Sequence, residues 1–243
     1  MRKKFLKKIS TVGLAAVAAV GLLAGCGKTD QSSKSSKTIY RTVDEIKKSG
    51  TINIGVFSDK APFGYVDENG EYQGYDIYFA ERLGKDLGVK INYVSTEAAN
   101  RIEYLQTGKV DVILANFTVT DERAEEVDFA LPYMNVSLGV VSHKEHVITD
   151  LSQVGADEQV IVISGTTAET YLTKNYPDIK LQKFDTYAAA KSAFENGTGV
   201  AWANDNTEVI AFAKENEGYT IGIDYLEVRI RLHRLLQKET PLC

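Results

Sequence analysis

The chain has 243 residues, with 28 lysines and arginines against 33 aspartates and glutamates, 44% apolar residues and two cysteines. This is a globular composition with material for one large or two small domains, and it excludes collagen-like, coiled-coil and disulfide-scaffold architectures. The formal charge of −5 hides an asymmetry: residues 1–25 carry five basic residues and no acid, leaving 23 basic against 33 acidic residues, or −10, from Cys26 onward. A nucleic-acid binder would carry a basic surplus, so that class is excluded as well.

Arg2, Lys3, Lys4, Lys7 and Lys8 precede an apolar stretch from Val12 to Leu23 and then Leu23-Ala24-Gly25-Cys26. That order reads as a signal peptide over residues 1–25, because the stretch is shorter than the roughly 20 residues needed to span a bilayer. One reading of Cys26 is an incidental cysteine in an ordinary secretory signal. The other follows from Leu-Ala-Gly-Cys, which resembles the bacterial lipobox and implies cleavage before Cys26 and a diacylglyceryl thioether on it. The expectation is a protein anchored by lipid on the extracellular face of the cell membrane. Residues 26–40 then serve as a flexible tether, since Gly27 to Lys37 contains no apolar residue. With no cysteine between Cys26 and Cys243, the body has no pair for Cys-His catalysis or a thiolate metal site.

Thr42-Val43-Asp44-Glu45 has the capping-box pattern and predicts a short helix ended by Gly50. Ile52, Ile54 and Val56 alternate as a strand does, and Pro62, Gly64 and Asp67-Glu-Asn-Gly70 mark loop and turn. Ile77, Ala80, Gly84 and Leu87 follow helical spacing from Tyr75 to a stop at Gly88. A strand over Lys90–Val94, a helix near Asn100–Thr107 and the apolar run Val110–Ala115 complete a β-α-β-α-β series. A second series follows Ser137–Ser142: strand Val160–Ile163, a helix from the capping box Thr166-Thr-Ala-Glu169 to Lys174, and strand Lys180–Phe184. Helix Thr186–Glu195, strand Gly199–Ala203, helix Asn206–Lys214 and strand Tyr219–Ile223 complete it. The expected fold is α/β in two units, with Ser137–Ser142 and Tyr219–Ile223 crossing between them and ligands held at the carboxyl ends of the strands.

Three positions are suited to a ligand. Arg123 lies beyond the strand-end loop in Asn116-Phe117-Thr118-Val119-Thr120-Asp121-Glu122-Arg123, in a helix capped by Thr118 or Thr120. Its guanidinium can grip a carboxylate bidentately, or pair on the surface with Glu125 or Glu126. Only five arginines occur in the first 223 residues, which draws attention to this one. Gly165-Thr166-Thr167 offers a glycine for close approach and free N–H groups at a helix start, with plain capping as the alternative. Asp205 follows a strand and suits an ammonium group, or caps the next helix. Together the three describe a cleft for a zwitterionic amino acid.

The same residues carry a resemblance. Gly74-Tyr75-Asp76-Ile77, Asp111-Val-Ile-Leu-Ala-Asn116, Thr118-Val-Thr-Asp-Glu-Arg123, Val127-Asp-Phe-Ala130 with Pro132-Tyr133, and Gly165-Thr-Thr167 resemble, in order from Val43 to Ile223, motifs of the family 3 solute-binding proteins of amino-acid ABC transporters. Gly55-Val-Phe-Ser-Asp-Lys-Ala-Pro-Phe-Gly-Tyr65, Ala99-Asn-Arg-Ile102 and Leu114-Ala-Asn-Phe-Thr118 are most similar to cysteine-binding receptors. The resemblance implies a two-lobed, type II periplasmic-binding-protein-like fold, with lobe 1 over residues 41–140 and lobe 2 over 141–221. It implies a monomer that closes on an amino acid and is read by a membrane permease, with no cofactor, no metal and no catalysis. It assigns the α-carboxylate to Arg123 with Thr118, Thr166, Thr167, Gly165 and Asn116 around it, the α-ammonium to Asp205, and the side-chain pocket to Phe117 and Phe57. An aromatic at Phe57, where relatives for cationic amino acids carry an acid, disfavours arginine and lysine. Cysteine or cystine is the expected ligand, with glutamine or glutamate as the alternative.

Residues 222–243 depart from the family pattern. Three of eight arginines fall in the stretch from Tyr225 to the end, and the reading is a frame shift near residue 224 that leaves lobe 1 incomplete. A basic helix over Tyr225–Lys238 is the other reading, although Leu226, Ile230, Leu235 and Leu236 form no clean stripe. A dehydratase or cell-wall lytic enzyme on the same fold is the competing class, but no Gly-x-Ser-x-Gly, His-Glu-x-x-His or P-loop motif occurs. His143 and His146 have metal-ligand spacing without a clear third ligand, and read better as a solvated turn.

Overall fold

In the computed structural model, which describes residues 40–236, the first helix, α1 (Val43–Ser49), has its complete capping box. The Thr42 hydroxyl accepts from the Glu45 N–H at 3.2 Å, and the Glu45 carboxylate accepts from the Thr42 N–H at 2.7 Å. Gly50 ends the helix in the left-handed region. In β1 (Thr51–Val56), Ile52, Ile54 and Val56 are buried with Ile46 of α1 and with Ile77 and Ala80 of α2 (Tyr75–Leu87). Each such side chain removed from water contributes roughly 1.5–3 kcal/mol, so the alternation in the sequence is what docks the two helices on this face. Between β1 and α2, where the sequence suggests only loop and turn, β2 (Asp59–Lys60), β3 (Gly64–Val66) and β4 (Tyr72–Gln73) form a small antiparallel sheet. Strands of two or three residues are too short for alternation to reveal.

β5 (Lys90–Ser95) pairs parallel with β1 on one edge, and β6 (Val112–Ile113) pairs with it on the other, on either side of α3 (Arg101–Gln106) in the chain. After α4 (Asp121–Glu126), β7 (Asp128–His143) is far longer than the expected Ser137–Ser142 crossing. The second series follows as β8 (Gln159–Ile163), α5 (Thr167–Asn175), β9 (Lys180–Phe184), α6 (Tyr187–Glu195), β10 (Ala201–Asp205) and α7 (Asn206–Glu215). β11 (Tyr219–Leu236) then pairs antiparallel with β7 along its length and meets β6 at Leu235 and Ile113.

The main sheet has the order β5-β1-β6-β11-β7-β10-β8-β9. Parallel strands β5, β1 and β6 occupy one side, parallel strands β10, β8 and β9 the other, and the two long antiparallel strands lie between. We call the two sides lobe 1 and lobe 2. One hydrophobic cluster runs through both, from Phe57, Leu105 and Phe117 to Tyr187, Phe194 and Trp202.

Several local alternatives are decided. Residues 225–236 belong to a strand, not to a basic helix, because they continue the ladder with β7. Thr120, not Thr118, caps α4, through the Arg123 N–H at 3.2 Å. Thr166 caps α5, but the capping box is not closed: the Glu169 carboxylate accepts from the Gly165 N–H at 2.7 Å instead. Asp205 stands at the N-cap position of α7, but its side chain makes no cap hydrogen bond. His143 packs on Phe194 and Tyr219, and His146 faces Glu158 at 3.5 Å, so the two do not converge on a metal site. The signal peptide, Cys26, most of the tether and residues 237–243 lie outside the described residues.

Candidate functional site

The carboxyl ends of the strands in both lobes meet at a buried polar centre. Lobe 1 brings Asn116, Thr118 and Arg123 from the segment after β6, and Arg101 from the start of α3. Lobe 2 brings Gly165, Thr166 and Thr167 from the turn into α5, and Tyr187 and Asp205 from the starts of α6 and α7. The turn at Gly165 requires a glycine twice over. Its φ is 76°, and a Cβ there would lie 2.5 Å from Ala99 Cα in lobe 1.

Two guanidiniums converge on the Gly165 carbonyl. Arg123 donates from Nη2 to that oxygen at 2.9 Å and from Nη1 to the Thr118 carbonyl at 2.8 Å. Arg101 donates from Nη2 to the same oxygen at 3.2 Å, and from Nε and Nη1 to the carbonyls of Ala98 and Ala115. Both stack on the buried Phe117 ring, whose centroid is 4.1 Å from the Arg101 and 4.3 Å from the Arg123 guanidinium carbon. Burial, and for Arg123 the charge of Arg101 beside it, pulls both arginines below their ordinary pKa. Two crowded cations in a low-dielectric setting gain from an anion, and the planar forks suit a carboxylate. Arg123 is thus held in the cleft by the Thr118 and Gly165 carbonyls, not spread on the surface.

Opposite them lies an acidic corner. Asp205 Oδ2 and Glu208 Oε2 each lie 3.1 Å from Lys60 Nζ, an ammonium with almost no solvent exposure that also donates to Asn116 Oδ1 at 2.6 Å and Tyr187 Oη at 3.1 Å. Burial presses the Lys60 pKa down, but Glu208, Tyr187 and Asp205 together hold it above the ordinary amine value. Glu208 also accepts from Asn204 Nδ2 at 2.6 Å. Asp205 Oδ1 accepts no hydrogen bond among the described residues.

Asn116 links the two charge clusters. Its φ is 43°, an uncommon conformation for a residue other than glycine. Its N–H donates to Asp76 Oδ2 at 2.8 Å, and its side-chain Nδ2 is buried without a hydrogen-bond partner among the described residues. Asp76, wholly buried, also accepts from Tyr133 Oη at 2.7 Å, and burial raises its carboxyl to about 6 in spite of both donors.

The space among Arg101, Asn116, Thr118, Arg123, Thr167 and Asp205 has a volume of about 10 Å³, enough for one water and far less than an amino acid. Thr166 and Tyr187 also border it, whereas Phe57 and Phe117 do not. Phe57 packs edge-to-face on Tyr187 at 5.1 Å, and Phe117 supports the arginines. A wider recess of about 590 Å³ shares Arg123 and Thr167 with this space and continues past Thr120, Leu138, Tyr171 and Lys174.

Sequence reasoning missed Lys60, Arg101, Tyr187 and Glu208. The scarcity of arginine that singles out Arg123 applies equally to Arg101. Lys60 gave no signal, because its partners Asp205 and Glu208 lie some 145 residues away in the chain.

A two-lobed α/β fold with charged groups gathered at its strand ends defines a solute-binding protein of the type II periplasmic class. Residues 52–219 match the bacterial extracellular solute-binding proteins, family 3, and the chain belongs to that family. It is similar, at 51% identity and a TM-score of 0.80, to the crystal structure of the solute receptor for L-cysteine of Neisseria gonorrhoeae, over 82% of this chain and 81% of that one. The cysteine-binding protein from Campylobacter jejuni is similar at 45% identity and a TM-score of 0.78, over 81% and 80% of the two chains. The ABC transporter glutamine-binding protein GlnH of Bacillus subtilis is 31% identical over 221 residues, which are 89% of this chain and 81% of that protein.

Proposed function

We propose that this chain captures a free amino acid, cysteine or cystine, between its lobes and delivers it to the permease of an ABC importer, without chemical conversion. The observation that carries this reading is the opposition of Arg123 and Arg101, converging on the Gly165 carbonyl, to Asp205, whose Oδ1 accepts no hydrogen bond among the described residues. A zwitterion satisfies both ends: its carboxylate takes guanidinium N–H groups and its ammonium takes Asp205 Oδ1. Each lobe supplies part of the site, so an amino acid is gripped only when the lobes close on it, and the ligand stabilises the closed form by that difference in contacts. The 45–51% identity to two cysteine receptors supports cysteine as the ligand.

Glutamine or glutamate is the second reading. It is favoured by the likeness to a glutamine-binding protein and by Asn116 Nδ2, a buried donor that has no partner among the described residues and could serve a side-chain carbonyl. Titration calorimetry with L-cysteine, L-cystine, L-glutamine and L-glutamate separates the two readings. Arg123→Ala should abolish measurable binding, and unchanged affinity in that variant would remove the carboxylate grip.

The lipobox-like Leu23-Ala24-Gly25-Cys26 supports a receptor held on the extracellular face of the cell membrane through a lipid on Cys26. Metabolic labelling with an alkyne fatty acid should mark the wild-type chain and not Cys26→Ser. Equal labelling of both would place any lipid elsewhere.

A further inference from the structure

The residue at the centre of the acidic corner is a lysine from lobe 1 that reaches into lobe 2. Lys60 is carried by β2, in the side sheet outside the main strand order, yet its ammonium is as buried as any core side chain. Its three N–H groups are committed to Asn116 in lobe 1 and to Tyr187 and Asp205 in lobe 2, and Glu208 adds an ion pair at 3.1 Å. The Tyr187 ring centroid lies 4.4 Å from Nζ, with the Phe57 and Phe63 rings at 5.6 and 5.4 Å, so the ammonium is enclosed by aromatic surface as well as by acceptors.

The acceptors matter for what else can enter. Asp205 and Glu208 are two buried carboxylates in contact with one cation. Without Lys60 they would form a strong subsite for a second positive charge, such as the side chain of a basic amino acid. With Lys60 in place, that charge is already supplied by the protein. Among the described residues Asp205 Oδ1 and Glu208 Oε1 accept no hydrogen bond, but only Asp205 borders the small space beside the arginines, so it is the acid that a ligand ammonium meets there, while Glu208 borders a separate recess.

We propose that Lys60 sets the ligand range of this cleft by acting as a built-in side-chain cation, occupying the Asp205–Glu208 corner so that only amino acids with small, uncharged side chains fit. The proposal rests on the amino-acid reading of the site and narrows it. A cationic side chain would meet the fixed ammonium of Lys60 in a corner whose two carboxylates are already balanced by Lys60 and the ligand's own α-ammonium, and like charges brought together in a desolvated site repel strongly. The same side chain would also have to displace an ammonium held by four partners.

The test compares L-cysteine with L-ornithine by titration calorimetry on the full wild-type chain, Lys60→Met and Lys60→Arg. The wild-type chain should bind cysteine and give no heat with ornithine. In Lys60→Met, which keeps length and removes charge, the ratio of cysteine to ornithine affinity should fall by at least about tenfold, because the acidic corner becomes open to a ligand cation. Lys60→Arg, which restores the charge, should return the ratio toward the wild-type value. The ratio is the discriminating readout, since a purely structural lysine would weaken both ligands together. If Lys60→Met does not fold, as judged by circular dichroism, Lys60→Gln serves in its place, its amide being able to bond the Glu208 carboxylate. An unchanged ratio in the folded neutral variant overturns the proposal while leaving the receptor reading intact. Absence of binding by every amino acid to the wild-type chain overturns the receptor reading and this proposal with it.

Discussion

Gly165→Ala separates lobe closure from ligand chemistry, because it adds one methyl group where no charged side chain stands. The new Cβ would lie 2.5 Å from Ala99 Cα, 2.8 Å from Ala99 N and 3.1 Å from Ala98 C, all backbone atoms of lobe 1. An ordinary contact between such atoms is about 3.5–4.0 Å, so the backbones must part by about 1 Å. That movement takes the Gly165 carbonyl away from both arginines, whose bonds to it are now 2.9 and 3.2 Å, and stretches each beyond hydrogen-bond reach. The left-handed φ of 76° costs an alanine a further 1–2 kcal/mol or so. Urea melts without ligand should register only about that backbone cost, since arginines freed between parted lobes hydrate. Ligand affinity should fall more, by at least about a hundredfold, if two charge-assisted contacts worth roughly 1.5–3 kcal/mol each no longer form. Titration calorimetry gives the affinity, and small-angle scattering gives the contraction on ligand addition, which should shrink in the variant. Affinity within threefold of the wild type would refute the claim that this turn is the contact on which the lobes close.

Removing the Asp205 charge as Asp205→Asn should weaken amino-acid binding by about ten- to a hundredfold in calorimetry, as expected for a hydrogen bond to a charged group; an unaltered titration would take Asp205 out of the site. Thr120→Ala deletes the α4 cap and should cost about 1 kcal/mol, a fall in melting temperature of roughly 2–4 °C; no shift would mean the Arg123 N–H is satisfied another way. Asp76 provides a test by pH. Because burial lifts its folded pKa to about 6, above the value in the unfolded chain, the folded state holds this proton more tightly. The stability it contributes therefore declines as pH rises from about 4 to about 6 and is level above that. Over that window the wild type should lose up to about 3 kcal/mol relative to Asp76→Asn in urea melts, and parallel stability curves for the two would contradict the assignment.

The sequence made the strands and helices of the regular βα units readable, because Ile52, Ile54 and Val56 on one side and Ile77, Ala80 and Gly84 on the other repeat with the periods of the elements that bury them. It also exposed Gly165 and Asp205, each at the carboxyl end of a strand, and Arg123, in the helix that follows the loop after β6. What it concealed was of two kinds. β2 to β4 are too short to carry a period, and the lengths of β7 and β11 depend on their pairing with each other. Lys60 and Glu208 are ordinary charged residues in the chain, and their meaning arises only when two lobes bring a cation and its acids together from opposite ends of the fold.

The ladder that joins β7 and β11 also fixes an order of assembly. Tyr219 pairs with His143, and the Lys144 N–H donates to the Gly218 carbonyl at 3.0 Å, so the stretch 144–218 leaves the central strands and returns to them at a single point. That stretch is an insertion whose own strands and helices are contiguous in the chain, and its contacts are available as soon as it leaves the ribosome. The half that is synthesised first is in the opposite position, since β6 finds one of its neighbours only in β11, more than a hundred residues later. The half that starts the chain is therefore the last to be finished.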